Sequence, residues 1–453
     1  MIGPKLISTI FKRKFYNAKL PVGDLRVLNI PHGNFDKSNF TTYDVALGFV
    51  QNNMKLYTHA AASAPTPLWN ALLKRIDEED LSGLEIQHSI SLGKIPWLNE
   101  KYYDKIRSNA FFIGNNLRKY VELGKADFIP IFLSQIPQMY SQMEKKFDVS
   151  FVACSAPDKH GYVSLSLTVD CTLGALRNSK HIIGISSNKV PRLYGDSIIH
   201  ASQFSALIED NTFEPHEMPL SNMDDNSVEA TIGKIIAENL IDDGSTLQLG
   251  IHTELLCSDA TKLIESGVVT GLKKNVDVGQ HVTSFICGDK NLYKFVDENP
   301  SILMKCASYT NNVEVIAKQP KIISINSGLE IDLTGQIVAE SIGKKFYSGF
   351  GGQVDFITGA GMAYDNKGKA IIAMPSKTSK GKSKIVPTLA DGSGVVTTRG
   401  HIKYFVTEYG IANLFGKNVR QRAYEIIQIS HPDDREGLEK AAFERLKVMP
   451  SKD

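Results

Sequence analysis

The sequence predicts a two-domain α/β protein, and three observations lead to this fold class. The chain has 453 residues, and a single hydrophobic core rarely extends beyond about 250 to 300 residues. Apolar, strand-like runs alternate with helical patterns between residues 40 and 210, which is typical of a largely parallel sheet covered by helices. Between Asp210 and Asn226 the chain becomes polar and acidic and contains Pro215 and Pro219, as expected for a connection between domains.

The first domain, which we place at residues 21–215, is expected to contain the parallel sheet. Its most strand-like runs are FFIG at 111–114, FIPIFL at 128–133, FVAC at 151–154 and HIIGI at 181–185. Short apolar runs of this kind, separated by helical segments, indicate strands buried on both faces.

The second domain, placed at residues 216–453, opens with a predicted amphipathic helix. Asn226 or Ser227 can serve as its N-cap, and its apolar residues share one face: Val228, Ile232, Ile235, Ile236 and Leu240. A strand, TLQLG at 246–250, follows, and glycine-rich turns then alternate with apolar runs: SGFGGQ at 348–353, TGAG at 358–361, AIIAM at 370–374 and GVVTT at 394–398. This pattern predicts a second α/β unit.

The composition excludes several classes of protein. With 42% hydrophobic residues, 22% charged residues and a net charge of +2, the chain is typical of a globular protein without a general affinity for nucleic acid. No apolar run reaches the roughly 18 residues of a membrane-spanning helix. The five cysteines lack CxxC spacing, which argues against a disulfide framework and against a metal site.

The N-terminus is basic and free of acids up to Asp24, and apolar residues alternate with Lys5, Lys12, Arg13 and Lys14. This composition is typical of a mitochondrial transit peptide, which we place at residues 1–20. A solvated basic tail would have the same composition. The first interpretation predicts that the mature protein resides in the mitochondrial matrix.

Glu254 is the candidate catalytic carboxylate. It closes the stretch TLQLG-IHTE, and ligands of open α/β sheets bind at the carboxyl ends of strands. A carboxylate held there could attack a thioester carbonyl and form a mixed anhydride. The alternative is an ordinary surface glutamate that follows a strand. Cys257, three residues on, is interpreted as a core residue.

The glycine-rich stretch SGFGGQVDF is the candidate source of hydrogen-bond donors for this reaction. Gly349, Gly351 and Gly352 allow backbone amides to approach a developing oxyanion or a bound cofactor, and Gln353 could add a donor. We reject a dinucleotide-binding GxGxxG motif, which needs a preceding strand, a third spaced glycine and a following helix. A tight turn that needs only glycine remains the alternative.

A run of lysines lies further along the chain, comprising Lys377, Lys380, Lys382 and Lys384. Flexible ammonium groups suit phosphate and pyrophosphate ligands. A solvated loop explains the run equally well.

Together these stretches resemble the acetyl-CoA hydrolase and acetate or 4-hydroxybutyrate CoA-transferase family. The likeness covers nearly the whole chain after the leader, and its motifs occur in the expected order: SQIPQMY (134–140), SAPDKHGYVSLSLTVDCT (155–172), GDSIIH (195–200), GIHTE (250–254), INSGLEIDLTGQ (325–336), FGGQVDFITGA (350–360), SKIVP (383–387), TEYGIANLFGK (407–417) and ISHPDDRE (429–436).

The resemblance implies two similar open α/β domains of the CoA-transferase type, with the active site in the cleft between them, usually in a homo-oligomer. It assigns the nucleophile to Glu254. It implies acyl-CoA binding by the GGQ-type loop, and the chain's candidates for that role are Gly351, Gly352, Gln353 and Asp355, with Lys377 and Lys384 as candidates for coenzyme A. Coenzyme A is then a substrate, and no permanently bound cofactor or metal is expected.

The sequence departs from the family directly before Glu254. Relatives carry LQ-x-GIG-x-IP, then a helix and a strand, and only then LGIHTE, whereas this chain runs from LQLG straight to IHTE. A parallel crossover needs at least about 10 to 12 residues, so a strand-helix-strand unit is incomplete. Smaller departures are Gln135, where relatives often have Glu, and the alanine-rich turn at residues 60–64.

The leading functional hypothesis is a CoA-transferase that moves CoA from acetyl-CoA to a carboxylate such as succinate through a glutamyl-CoA thioester. Hydrolysis of acetyl-CoA by the same residues is the second hypothesis. A non-catalytic acyl-CoA-binding protein is the third, and the incomplete unit is its basis.

Overall fold

The computed structural model describes residues 40–218, 226–248 and 255–453 as a mixed α/β protein. The predicted leader at residues 1–20 lies outside these ranges. Across the three described ranges, no helix is long and apolar enough to cross a membrane.

The first part of the chain forms a seven-stranded sheet in the order β10-β7-β5-β1-β2-β3-β4, with every pairing parallel. The strands of this part are β1 (Lys55–Thr58), β2 (Leu84–His88), β3 (Ile106–Ala110), β4 (Ala126–Phe128), β5 (Phe147–Ser155), β6 (Tyr162–Ser164), β7 (Ser179–Ser187), β8 (Tyr194–Gly195), β9 (Ile198–His200) and β10 (Ala206–Glu209). The helices are α1 (Tyr43–Leu47), α2 (Thr66–Glu79), α3 (Arg118–Glu122), α4 (Ile136–Gln142) and α5 (Thr172–Arg177).

Burial explains why this sheet forms. Every residue of β5 is buried, as expected for a central strand of a parallel sheet that is covered on both faces. Helix α2 covers the sheet through apolar side chains at helical spacing, namely Leu68, Trp69, Leu72, Leu73 and Ile76.

Two of the four predicted strands of the first domain are confirmed and two are displaced. FVAC lies in β5 and HIIGI lies in β7. The prediction was wrong for FFIG, because β3 ends at Ala110 and the buried Phe111 packs in a separate apolar cluster. It was also wrong for most of FIPIFL, because β4 ends at Phe128 and Pro130 has no amide hydrogen for a ladder.

The second part forms a five-stranded sheet in the order β11-β16-β21-β24-β25, and only the last pairing is antiparallel. Its strands are β11 (Thr246–Gln248), β12 (Leu255–Leu256), β13 (His281–Thr283), β14 (Phe285–Ile286), β15 (Ile302–Met304), β16 (Ile322–Asn326), β17 (Glu330–Asp332), β18 (Ile337–Val338), β19 (Ser341–Ile342), β20 (Lys345–Phe346), β21 (Lys369–Ala373), β22 (Ile385–Val386), β23 (Val395–Thr397), β24 (Tyr404–Thr407) and β25 (Gly410–Asn413).

Eight helices accompany this part in the described residues: α6 (Val228–Leu240), α7 (Ser258–Glu265), α8 (Lys290–Val296), α9 (Ala307–Thr310), α10 (Val313–Ala317), α11 (Gln353–Gly361), α12 (Val419–Gln428) and α13 (Pro432–Leu446). The predicted amphipathic helix is confirmed as α6. The Ser227 side chain caps it by accepting a hydrogen bond from the Ala230 amide at 3.1 Å.

The stretch TGAG was predicted as a turn but lies inside α11, so that prediction was wrong. A Cβ at Gly359 would approach the Cβ of Ile316 to 2.6 Å. This glycine therefore permits close packing of α10 against α11 and does not mark a turn.

The two parts of the chain share a large apolar cluster. Residues of β12, β14 and β15 pack with residues of the first part, among them Val152, Leu167 and Leu193. Strand β8 also pairs in parallel with β15. The segment 255–304 thus packs on the first part of the chain, although the predicted boundary, which stays a prediction, precedes it at residue 215.

Candidate active site at the glycine loop

The stretch 348–353, named here the glycine loop, rests on the first part of the chain. The Leu133 amide donates to the Gly351 carbonyl at 3.1 Å, and the Ile113 amide donates to the Ser348 carbonyl at 3.3 Å. Phe132 and Phe350 contact each other beside them, with tilted rings whose centroids lie 5.5 Å apart. The loop is therefore held by backbone hydrogen bonds between segments more than 200 residues apart.

Glycine is required at two positions of this loop. A Cβ at Gly349 would lie 2.9 Å from the Phe111 carbonyl oxygen, which is too close for any side chain. Gly351 has φ +54°, a left-handed conformation that disfavours other residues.

Sequence reasoning identified both glycines, but it was wrong about the segment after them. A helix, α11, does begin at Gln353, so the absence of a following helix is no reason to reject a dinucleotide-binding motif. Two reasons remain, because the third spaced glycine is missing and the preceding strand β20 has only two residues.

Gln353 is buried, and both ends of its amide have protein partners. Its Nε2 donates to the Ser327 carbonyl, and its Oε1 accepts from Thr397 Oγ1 at 3.2 Å. The side chain fixes the start of α11 against the core. Its predicted contact with an acyl-CoA stays a prediction.

Asp355 connects the two parts of the chain. Its carboxylate, in a residue only 5% exposed, accepts from Ser134 Oγ at 2.8 Å, from the Ser134 amide at 3.4 Å and from Asn311 Nδ2 at 3.4 Å. Burial raises the pKa of Asp355 to about 6, and the hydrogen bonds from Ser134 and Asn311 offset only part of that rise. Sequence reasoning did not identify Ser134 and Asn311, although Ser134 opens the SQIPQMY stretch.

A small cavity lies against the glycine loop. It has a volume of about 30 Å³ and is lined by Gly351 together with Ala61, Phe111, Ile131 and Leu133, among others. Roughly 10 to 15 Å³ is enough for one water molecule, so the cavity has room for about two water-sized groups, enough for the methyl group of an acetyl. Ala61 contributes from the alanine-rich turn with φ +50°.

Asp170 also lines this cavity and is wholly buried. Burial raises its pKa, whereas hydrogen bonds from Cys171 and Thr172 lower it in part. Its Oδ1 accepts from Thr172 Oγ1 at 3.2 Å. The DCT end of the stretch 155–172 thus places a carboxyl group next to an apolar pocket.

The predicted lysines divide into two environments. Lys377 lies 3.4 Å from an Asp434 carboxylate oxygen and 3.8 Å from one of Asp433. Lys384 is half-buried, and desolvation lowers its pKa despite the favourable charges of Glu229 and Glu408. Lys380 and Lys382 are exposed. Binding of coenzyme A by Lys377 and Lys384 stays a prediction.

Glu254 lies outside the described residues, between Gln248 at the end of β11 and Leu255 at the start of β12. Cys257 is partly exposed next to α7. In the described ranges, no group of three or more His, Cys, Asp or Glu side chains could hold a metal ion.

Comparisons with known proteins agree with this architecture. The sequence profile of the acetyl-CoA hydrolase/transferase N-terminal domain matches residues 34–216, and that of the C-terminal domain matches residues 288–442. A succinyl-CoA:acetate/propanoyl-CoA:succinate CoA transferase of Fasciola hepatica is 42% identical over 428 residues, which cover 90% of this chain and 88% of the relative. A 4-hydroxybutyrate coenzyme A transferase of Clostridium kluyveri is 37% identical over 426 residues, 89% of this chain and 96% of the relative.

Among solved structures, RipA from Yersinia pestis superimposes with a TM-score of 0.84 at 29% identity and covers 91% of this chain and 98% of its own. The sequence alignments also reveal a difference in length. Because 90% of 453 residues is about 408, the 428-residue match with the Fasciola protein leaves about 20 of its residues without a counterpart here. The Clostridium match, at 426 against about 403, leaves about 23.

Proposed function

The chain belongs to the acetyl-CoA hydrolase/transferase family, and we propose that it transfers coenzyme A from acetyl-CoA to a carboxylate acceptor such as succinate. The observation that carries this proposal is the docking of the glycine loop over a small apolar cavity. A carbonyl placed at Gly351 would have backbone amides on one side and room for the methyl group of an acetyl on the other.

The reaction proceeds by covalent catalysis at Glu254. Its carboxylate attacks the thioester carbonyl, so that an acyl-glutamyl anhydride forms and the CoA thiolate leaves. The thiolate then attacks the glutamyl carbonyl, which releases acetate and leaves a glutamyl-CoA thioester. A second carboxylate attacks this thioester, and the thiolate finally returns to the acyl group of the new anhydride, which frees Glu254.

The residues around the cavity assist through electrostatics and exclusion of water. Helix α11 begins at the glycine loop, and the positive N-terminal end of its dipole stabilises negative charge that develops on a carbonyl oxygen. Apolar side chains, including Phe111 and Ile131, keep water away from the anhydride. Exclusion of water favours transfer to a carboxylate over hydrolysis.

Trapping of the intermediate tests the proposal. Incubation with acetyl-CoA followed by borohydride is expected to inactivate the protein, because the glutamyl-CoA thioester is reduced. Glu254→Ala should lower CoA transfer to succinate by about 1,000-fold or more. The matched control is Glu265→Gln, at an exposed glutamate on α7, which should retain activity. Full activity in Glu254→Ala would contradict covalent catalysis at this residue.

The same assay separates the alternatives. Release of free CoA that does not depend on added succinate or acetate would identify a hydrolase. Tight CoA binding without turnover would identify a non-catalytic acyl-CoA-binding protein.

We further propose that residues 1–20 direct the protein to the mitochondrial matrix and that it forms a homo-oligomer. The basic, acid-free composition of the leader supports the first statement, and the family resemblance supports the second. Fusion of residues 1–24 to a fluorescent protein, with a control in which Lys12, Arg13 and Lys14 are replaced by Glu, tests targeting. Light scattering during gel filtration tests assembly.

A further inference from the structure

A hairpin of β19 and β20 leads directly into the glycine loop. The two strands pair in antiparallel fashion, and the Tyr347 and Ser348 amides both donate to the Glu340 carbonyl, at 2.8 Å and 3.0 Å. These hydrogen bonds close the base of the hairpin. Any group that fixes Tyr347 therefore also fixes the start of the glycine loop.

Strand β20 makes two contacts with the first part of the chain, and both are exposed. Lys345 pairs with Glu122 of α3 at 2.5 Å, but each side chain is roughly half exposed, and exposed ion pairs stabilise little. The ring of Phe346 lies 5.6 Å from that of Phe128, and Phe346 is also half exposed. A firmer attachment lies closer to the glycine loop.

Arg118, the first residue of α3, makes this attachment. Its Nε donates to the Tyr347 carbonyl at 2.7 Å, and its guanidinium carbon lies 3.4 Å from the centroid of the Tyr347 ring. A planar guanidinium can stack on an aromatic face and donate from its edge at the same time, a combination that the compact ammonium of lysine cannot reproduce. One side chain thus holds both the backbone and the ring of Tyr347.

The guanidinium is itself held in place. Its Nη1 donates to the Asn115 side chain. Arg118 and Tyr347 are both partly buried, so solvent screens their contact less than the ion pair on β20. Beside them, the Ile113 amide donates to the Ser348 carbonyl at 3.3 Å. The first part of the chain therefore holds the last residue before the glycine loop and also the first residue of the loop.

We propose that Arg118 is a positioning residue for CoA transfer, which holds the glycine loop over the small cavity by binding Tyr347. The loop backbone has to meet a thioester carbonyl at a fixed distance, and a displacement of about 1 Å can lower a rate by about 100-fold. Arg118 acts through Tyr347 and has no part in the bond-making steps. The inference rests on the proposed function, because the position of the loop affects turnover only if a thioester carbonyl binds there.

The kinetics of Arg118→Ala test this role. We expect kcat for transfer from acetyl-CoA to succinate to fall by about 10- to 100-fold. KM for acetyl-CoA should change by less than about 3-fold, because loss of an interaction that serves only the transition state leaves substrate binding unchanged. Arg107→Ala is the matched control and should retain activity, because Arg107 binds Asp127 and the Gly124 carbonyl instead. A wild-type kcat in Arg118→Ala, or a loss confined to KM, would overturn the inference.

Added cations show whether the planar group is what matters. Ethylguanidinium should restore part of the kcat of Arg118→Ala, because it can stack on Tyr347 in the space of the missing side chain, whereas ethylammonium at the same concentration should not. Arg118→Lys keeps the charge but should show the same loss of kcat, and it is the second variant should Arg118→Ala not fold. Wild-type activity in Arg118→Lys, or equal restoration by both cations, would contradict the assigned role.

Hydrogen exchange without substrate separates a failure of this inference from a failure of the proposed function. The Leu133 amide donates to the Gly351 carbonyl, so its exchange reports whether the glycine loop stays docked. Exchange at Leu133 should be faster in Arg118→Ala than in wild type and unchanged in Arg107→Ala. Absence of CoA transfer by wild type would refute the proposed function, whereas unchanged exchange at Leu133 in Arg118→Ala would overturn the inference whatever the activity.

Discussion

Replacement of Asp355 by Asn should change how stability depends on pH. The pKa of this carboxyl is raised to about 6 in the folded protein by burial, whereas its unfolded value is about 3.9. Between these values the folded state binds one proton more than the unfolded state. The contribution of this carboxyl to the free energy of unfolding is therefore fully present below its unfolded pKa and is lost as pH rises through its folded pKa.

The magnitude follows from the two pKa values. Integration from pH 5 to pH 7 shows that the free energy of unfolding of wild type decreases by about 1.3 kcal/mol, a decrease that Asp355→Asn does not show. The variant forfeits part of the hydrogen bonding to Ser134 and Asn311, so its absolute stability differs at every pH. The expected result is a difference in pH dependence. Relative to wild type, the free energy of unfolding of the variant increases by about 1.3 kcal/mol between pH 5 and pH 7.

Urea unfolding followed by circular dichroism at several pH values measures this pH dependence, and groups common to both proteins cancel in the difference. Asp332→Asn is the matched control, because Asp332 is also buried. Burial would raise the pKa of Asp332, but hydrogen bonds from Thr334 and Gln336 lower it overall, so Asp332→Asn should lose relative stability as pH rises through the acidic range. A wild type and an Asp355→Asn variant that differ by the same amount at pH 5 and pH 7 would refute the reasoning.

Three further predictions concern single residues. Ala61→Gly relieves a left-handed conformation and should raise the free energy of unfolding by about 0.5 to 1 kcal/mol, whereas Ala64→Gly in the same buried turn should lower it; urea unfolding checks both. Ile131→Ala enlarges the cavity at the glycine loop and should raise kcat/KM for butyryl-CoA relative to acetyl-CoA about 10-fold, and Ile129→Ala, which does not line it, should leave the ratio unchanged. Burial lowers the pKa of His59 to about 4, so wild type should lose about 2 kcal/mol more stability than His59→Gln as pH falls from 7 to 5.

The fold class was predictable because the parallel sheets bury long apolar runs. β5 and β7 follow from FVAC and HIIGI alone, and α6 follows from its apolar face and the Ser227 cap. FFIG and FIPIFL are similarly apolar, but their residues make contacts with distant segments instead of sheet pairings. The Leu133 amide, for example, pairs with Gly351, and no local pattern contains that information.

The candidate site was predictable only in part for a similar reason. Glycines that must approach another backbone are visible in the sequence, and Gly349 and Gly351 were identified. The partners of Asp355 were not, because Ser134 and Asn311 lie 221 and 44 residues away from it. The role of Gln353 as a ligand donor stays a prediction, and its hydrogen bonds with Ser327 and Thr397 were not visible in the sequence.

The packing of residues 255–304 on the first part of the chain has a consequence for synthesis on the ribosome. Val152, Leu167 and Leu193 are translated long before Phe285 and Met304, which cover them in the finished protein. At about 5 to 20 residues per second, the nascent chain exposes this apolar surface for several seconds before its cover emerges. We expect the first part to need a chaperone during that interval, and a chain halted near residue 218 to aggregate.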